Sequence, residues 1–271
     1  MVKTPLTNWG AASRESFTYL GKTSCTLKVF LDADGLAEEQ VLPLLPYSGQ
    51  RSPKISCGPD PKRYRDPRLV FTQLGLLCDD SGCLKLTEFG VAVKRWIPII
   101  TEANAPVFGR HIAHALSACQ LRNPTGAGKK YDLSMQVFHC SFIWSAMLEL
   151  DNKIASEEVN CAILKVRNRD ELSKAIEAIG QARKAGSLDM LGEPVESSGK
   201  ANDRIIPWMA LASFGWTLFD QKRDGYYTIP ERNIEILRNA ANFDHQHRDF
   251  STESEYAQHI ANAAQLPKDV R

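Results

Sequence analysis

A chain of 271 residues, 43% hydrophobic and 24% charged, is sized for one large domain or two ordinary ones and carries enough apolar material for a core without disulfides or structural metal. This composition excludes chain-wide disorder, collagen-like repeats and a coiled-coil architecture. The formal net charge of +1, from 33 basic and 32 acidic residues, excludes a uniformly basic coat protein but leaves room for a local basic patch.

Residues 1–35 read as an N-terminal arm, with strand character over Ser16–Phe30 from Phe17, Tyr19, Leu27 and Val29. Residues 36–48 place Leu36, Val41, Leu42, Leu44 and Leu45 on one helical face, and two prolines end that helix near Tyr47. A short middle helix is expected within 52–60. The stretch from Arg51 to Arg68 holds six basic residues against Asp60 and Asp66. Apolar residues at 70, 71, 74 and 77 then have helical spacing, and Gly75 is placed to end the helix in the left-handed conformation. Asp79-Asp80-Ser81-Gly82 is a hairpin turn signal. Leu84 and Leu86 alternate as a strand should, and Thr87 caps a further helix through Phe89, Val91, Val93 and Trp96. Helix, hairpin and helix in this order form the back half of a winged helix.

Residues 101–137 connect to a second copy through a helix (HIAHALSACQL) and a flexible basic loop (RNPTGAGKK). Helices are expected over Phe138–Glu149, over Ser156–Val166 with Ser156 as N-cap, and over the strongly amphipathic Asp170–Lys184. Residues 186–200 read as a loop. A helix over 202–215 ends at Gly215, Trp216–Phe219 is a strand, Asp220–Gly225 a turn, Tyr226–Ile229 the return strand and Pro230–Phe243 a helix. Residues 252–265 add a last helix with a capping box, Thr252 and Glu255. LGLL…SGCLKLT aligns with FGWT…DGYYTIP, matching Gly75 to Gly215, and such a divergent repeat argues for two similar domains. The expected fold class is mostly α with small β-hairpins (α+β), with two winged-helix (helix-turn-helix) domains in tandem. The boundaries are an arm over 1–35, domain one over 36–100, a connector over 101–137, domain two with an inserted helix over 138–245, and a C-terminal helix or linker over 246–271.

No apolar run approaches the ~20 residues that span a bilayer, and the N-terminus lacks the apolar stretch of a signal peptide. A cytoplasmic protein without a membrane partner is expected. The seven cysteines are odd in number, scattered and without a Cys-x-x-Cys, a pattern of reduced thiols. Cys78 and Cys83 bracket the first hairpin turn, where cross-linking in air is geometrically open but no functional disulfide is expected.

A metal-dependent nuclease commonly needs an acidic residue followed about 10–30 residues later by Asp/Glu-x-Lys on a strand. Asp60 has no such follower: Asp151-Asn-Lys153 and Asp220-Gln-Lys222 are badly spaced and suit solvated turns. His111 with His114, and His245 with His247, offer pairs of ligands but no third partner at motif spacing. Gly126–Lys130 lacks the P-loop pattern. No catalytic or metal-binding residue is assigned, and no cofactor is expected in this chain.

Binding chemistry is better represented. Only Arg, Lys, Asn and Gln reach base edges bidentately from a helix in the major groove. The first copy supplies Lys62, Arg63, Arg65 and Arg68 with Tyr64 interleaved, and the second Lys200, Asn202 and Arg204. Lys222 and Arg223 fall on the second wing, where backbone contact is usual. Arg51 and Lys54 precede the first recognition helix and suit phosphates. Arg14 and Lys22 lie on the arm, which suits an adjacent groove. The plain alternative for residues 51–68 is a solvated basic loop.

The run R-D-P-x-x-x-F-x-x-L-G-L-L, an acidic turn and L-x-L-T-x-x-G over Arg65–Gly90, followed by an aromatic helix, S-E-E-x-N and A-I-E-A-I-G-Q-A-R over Ile143–Arg183, resembles the tandem winged-helix recognition region of type IIS restriction endonucleases, the AlwI-like and FokI-like group. The resemblance covers residues 50–240 as a layout with short motifs. It implies sequence-specific recognition of double-stranded DNA. In that family a separate Mg²⁺-dependent nuclease domain follows the recognition modules. The sequence up to Arg271 holds no such domain, so this chain is expected not to be an enzyme by itself, and Mg²⁺ enters only with a C-terminal nuclease domain in a longer protein. The alternative function is a winged-helix adaptor that docks protein partners in a bacterial defence or regulatory complex.

Overall fold

The computed structural model describes residues 5–9, 25–45, 62–101, 103–126, 128–195, 209, 220–221, 225–242 and 246–267. Among the described residues the chain is mostly helical, with one two-stranded and one three-stranded antiparallel sheet, an α+β fold.

The first helix, α1 (Cys25–Asp32), stands where strand character is expected. Leu27, Phe30 and Leu31 are all buried, a three- and four-residue spacing that puts them on one helical stripe. That stripe decides the element over the weak alternation before it. The expected helix over 36–48 is broken. Only Glu38–Val41 (α2) is α-helical, its start closed by Gln40 Oε1 accepting from the Ala37 N–H at 3.0 Å. Pro43 then sits in a single 3₁₀ turn, Leu42–Leu44, and Leu44 points outward.

Helix α3 (Lys62–Gln73) runs into the hairpin as expected. Gly75 has φ +70°, and a Cβ there would lie 2.6 Å from Ile260 Cδ1, so both its conformation and its neighbour require glycine. Strands β1 (Leu77–Asp80) and β2 (Cys83–Leu86) pair with Leu77 opposite Leu86 and Asp80 opposite Cys83. Ser81 and Gly82, both at positive φ, make the two-residue turn. Cys78 faces Lys85 across the ladder rather than Cys83, and both thiols are free. The connection between α1 and α2 lies along β2, with Leu84 N–H donating to Leu36 O and Gly35 N–H to Leu84 O. Thr87 caps α4 (Glu88–Trp96): its Oγ1 accepts from Gly90 N–H at 2.9 Å and donates to Gly75 O at 2.6 Å.

Beyond α5 (Ala105–Ser117), the expected flexible basic loop is instead a built one. Asn123, Pro124, Thr125 and Gly128 are buried, and Gly128–Lys130 forms a 3₁₀ turn. Helix α6 (His139–Glu149) is buried over most of its length. Strand β3 (Lys153–Ala155), absent from the sequence reading, is three residues long and pairs with the return strand of the second hairpin. Helix α7 (Ser156–Cys161) is capped one residue earlier than expected: Glu158 Oε2 accepts from the Ala155 N–H at 2.7 Å, and Ser156 is already helical. Helix α8 (Arg169–Ala185) starts at the Asn168 cap and ends at Gly186, φ +67°.

In the second hairpin, β4 (Asp220–Gln221) and β5 (Tyr226–Thr228) are antiparallel, and the sheet order is β3-β5-β4. Most of the expected 202–215 helix, the 216–219 strand and the turn residues 222–224 lie outside the described residues. Helix α9 (Glu231–Ala241) packs on α5 and α6. The C-terminal helix α10 (Glu253–Ala263) is capped by Thr252 and buries Tyr256, Ala257, Ile260 and Ala261 against β1, α4 and α5. It is part of the core rather than a trailing linker.

Candidate nucleic-acid interface

Helix α3 is the described element that carries the expected DNA-reading residues. Its inner face is fixed by aromatic packing. Tyr64 stacks on Phe30 at 5.6 Å between ring centroids, and Phe71 meets Phe30 edge-on at 5.2 Å. Tyr64 is only 5% exposed, and burial pushes its phenol above the ordinary range. Tyr64, expected among the DNA-binding residues, is therefore a core residue that holds α3 against α1.

Arg65 points the other way. Its side chain is 61% exposed, and its Nε lies 3.0 Å from Asp66 Oδ1. An exposed ion pair of this kind contributes about 0–1 kcal/mol and exchanges readily for another anion. Leu69, one turn on, continues the same outer stripe and is half-buried. Pro67 lies inside the helix. Having no N–H, it leaves the carbonyl one turn back without its usual intrahelical donor.

Arg68 is engaged within the protein. Its Nη2 is 2.9 Å from Asp79 Oδ2 and 3.8 Å from Glu253 Oε2, and that same Glu253 oxygen accepts from the Asp79 N–H at 3.2 Å. The guanidinium thus ties α3 to the hairpin and to α10, instead of standing free for a base edge. Its acidic partners are the feature the sequence reading missed. Locally, Asp79 has the sequence of a turn residue and Glu253 belongs to a distant helix, and nothing nearby in the chain connects them to Arg68.

The first hairpin tip is acidic. Asp79, Asp80, Ser81 and Gly82 are exposed, and the nearby Lys85 is 3.3 Å from Asp80 Oδ2. Such a tip is ill suited to lying on a phosphate backbone. Lys62 and Arg63 belong to the first turn of α3. Arg14, Lys22, Arg51, Lys54, Lys200, Asn202, Arg204, Lys222 and Arg223 lie outside the described residues.

The base of the second hairpin is held by a buried ion pair. Arg183 Nε and Nη2 reach the two Glu158 oxygens at 2.7 and 2.8 Å, and two further donors go to Leu150 O and Lys153 O, both at 2.9 Å. Bidentate geometry with four of the five guanidinium N–H groups directed at acceptors is what makes such a pair tolerable. Arg183 and Lys153 also lie over the Tyr226 ring, 5.8 and 5.3 Å from its centroid. Together these residues wall a cleft of about 640 Å³ that includes Asp151 and Glu157.

Three buried or half-buried acid–base groups are held out of the neutral range. Burial lowers His139 to about 3, and burial with the Arg122 charge lowers His247 to about 4. Burial raises Cys119 to about 12. His111 shares Nδ1 with Ala264 O at 3.0 Å. Among the described residues, no three His, Cys, Asp or Glu side chains gather as a metal site would require, and no helix is long and apolar enough to cross a membrane.

No family model matches the chain, and no curated protein matches it in sequence. Its fold is similar to a solved structure, described as the crystal structure of pyrene- and phenanthrene-modified DNA in complex with the BpuJ1 endonuclease binding domain. The TM-score is 0.52 at 12% identity, over 97% of this chain and 96% of that one. The likeness is one of fold, and it extends over nearly the whole length of both chains.

Proposed function

We propose that this chain recognises double-stranded DNA in a sequence-specific manner and is the recognition portion of a restriction endonuclease whose nuclease domain lies outside it. The observation that carries the reading is the near-complete fold match to an endonuclease binding domain crystallised with DNA. The exposed Arg65 stripe of α3 supports it. In this reading the two helix–hairpin–helix units are tandem winged helices. Two reading helices and an arm give a monomer access to an asymmetric site, whereas symmetric dimers favour palindromes. The type IIS assignment and the AlwI-like and FokI-like grouping belong to the same proposal. The chain itself is a binding module, with Mg²⁺ needed only by the nuclease domain. The α3 surface reads bases, and the acidic first hairpin stays off the backbone.

Selection from a random duplex pool tests this. Repeated capture by the purified chain should enrich one asymmetric motif. A pool that remains random after selection, in low salt, would overturn the reading.

A further inference from the structure

The loop between α5 and α6 has a construction that its composition hides. Asn123 sits at its centre. Its Nδ2 donates to Gln120 O at 2.7 Å, and its Oδ1 accepts from the Thr125 N–H at 2.9 Å. Lys129 N–H returns to Thr125 O at 3.1 Å. Gly128 closes against this frame so tightly that a Cβ would lie 2.2 Å from Asn123 Oδ1 and 2.5 Å from Asn123 O. On its far side the N-terminal segment locks the loop. Leu6 N–H donates to Lys130 O at 2.8 Å, Asp132 N–H donates to Leu6 O at 2.9 Å, and Tyr131 Oη donates to Trp9 O at 2.5 Å. Trp9 itself is fully buried, with Nε1 donating to Val166 O at 2.8 Å.

This rigid frame presents two exposed lysines, Lys129 and Lys130. Neither ammonium group has a hydrogen-bond or ion-pair partner among the described residues. Arg68, Lys94 and Arg122, by contrast, are each held by a carboxylate. The frame also lies beside α3, since a Cβ on Gly126 would be 3.0 Å from Leu69 Cδ2. Leu69 is on the outer stripe one turn from Arg65. Three and four residues of chain reach at most about 11 and 14 Å, so both lysines lie at a distance from Gly126 comparable with the ~12 Å width of a major groove.

We infer that the loop residues Leu121–Gly126 and Gly128–Tyr131 form a preorganised phosphate platform, on which Lys129 and Lys130 bind the DNA backbone flanking the groove that α3 enters. The inference rests on the DNA-recognition reading above and adds two contacts and a role to it. A loop whose backbone is already fixed spends little conformational entropy when its cations meet phosphates. Contacts of this kind set the register of the reading helix and carry no sequence information.

The test is the salt dependence of binding to a fluorescent mixed-sequence duplex of about 20 base pairs, for the whole chain and for Lys129→Gln/Lys130→Gln. Each phosphate contact contributes about 0.9 to the slope of log affinity against log salt. The double variant should therefore lose about 1.8 from the slope, with its circular dichroism and its selected motif unchanged. Lys174→Gln/Lys184→Gln on α8 removes the same charge elsewhere and should leave the slope as it is. An unchanged slope in the loop variant, or an equal loss in the α8 variant, overturns the platform while leaving DNA recognition standing. Absence of salt-sensitive binding by the unsubstituted chain overturns both.

Discussion

Arg65 and Arg68 are three residues apart on one helix, and their surroundings give them different work. Arg65 is open to solvent with one weak exposed partner, whereas Arg68 is shared between Asp79 and Glu253. Alanine at the two positions should therefore separate affinity from stability. Arg65→Ala should weaken binding to the selected duplex by about 1–3 kcal/mol, the cost of losing a bidentate guanine contact, without moving the urea midpoint. Arg68→Ala should lower folding stability by roughly 1 kcal/mol, because a partly exposed pair is discounted by solvent, and should leave the salt slope of binding alone. Titration calorimetry beside urea denaturation checks both. The assignment fails if Arg68→Ala changes affinity while the stability of the fold is untouched.

At the level of elements, stereochemistry made much of the fold legible. Gly75 at positive φ, the Ser81-Gly82 turn, the Thr87 cap, the Gly186 end of α8 and the Thr252 start of α10 are decided within a few residues, so a sequence displays them. Thr87 does more than a cap requires. Its hydroxyl joins the end of α3 to the start of α4 by donating to Gly75 O and accepting from Gly90 N–H, both in a buried setting. Thr87→Ala should cost about 1–2 kcal/mol in urea denaturation, and Thr87→Ser should recover most of it. A loss well under half a kilocalorie would show that the hydroxyl does not couple the helices. Elements settled by distant partners were not legible. Strand β3 is too short to show a period and exists because β5, far downstream, pairs with it. Helix α1 carried enough alternating apolar residues to look extended until Phe30 found Tyr64 and Phe71. The candidate site follows the same division. A run of charge located α3, but only the tertiary partners of Tyr64 and Arg68 show that one is core and the other pinned.

On the scale of the whole molecule, the two ends of the chain brace the candidate surface. The N-terminal segment clamps the Lys129–Lys130 loop through Leu6 and Trp9. Helix α10 supports α3 and the first hairpin through Ile260 beneath Gly75 and Glu253 beside Arg68. The centre of this brace is Tyr256, which is fully buried. Its hydroxyl donates to Gln73 O at 2.9 Å, where α3 ends, and accepts from the Gln120 N–H at 3.2 Å, where the platform loop begins. One phenol oxygen thus links the end of α3 to the start of the Lys129–Lys130 loop. Tyr256→Phe keeps the ring and its edge contact with Phe250 but strands a buried donor and a buried acceptor. Leaving such groups unsatisfied costs about 1–3 kcal/mol, so the urea midpoint should fall with the denaturant slope unchanged. Amide exchange should quicken at Gln120 and in the last turn of α3 ahead of α8, which lies outside this brace. A midpoint equal to that of the unsubstituted chain would mean that the hydroxyl contributes nothing to joining α3 and the loop, and that each is held by its own packing alone.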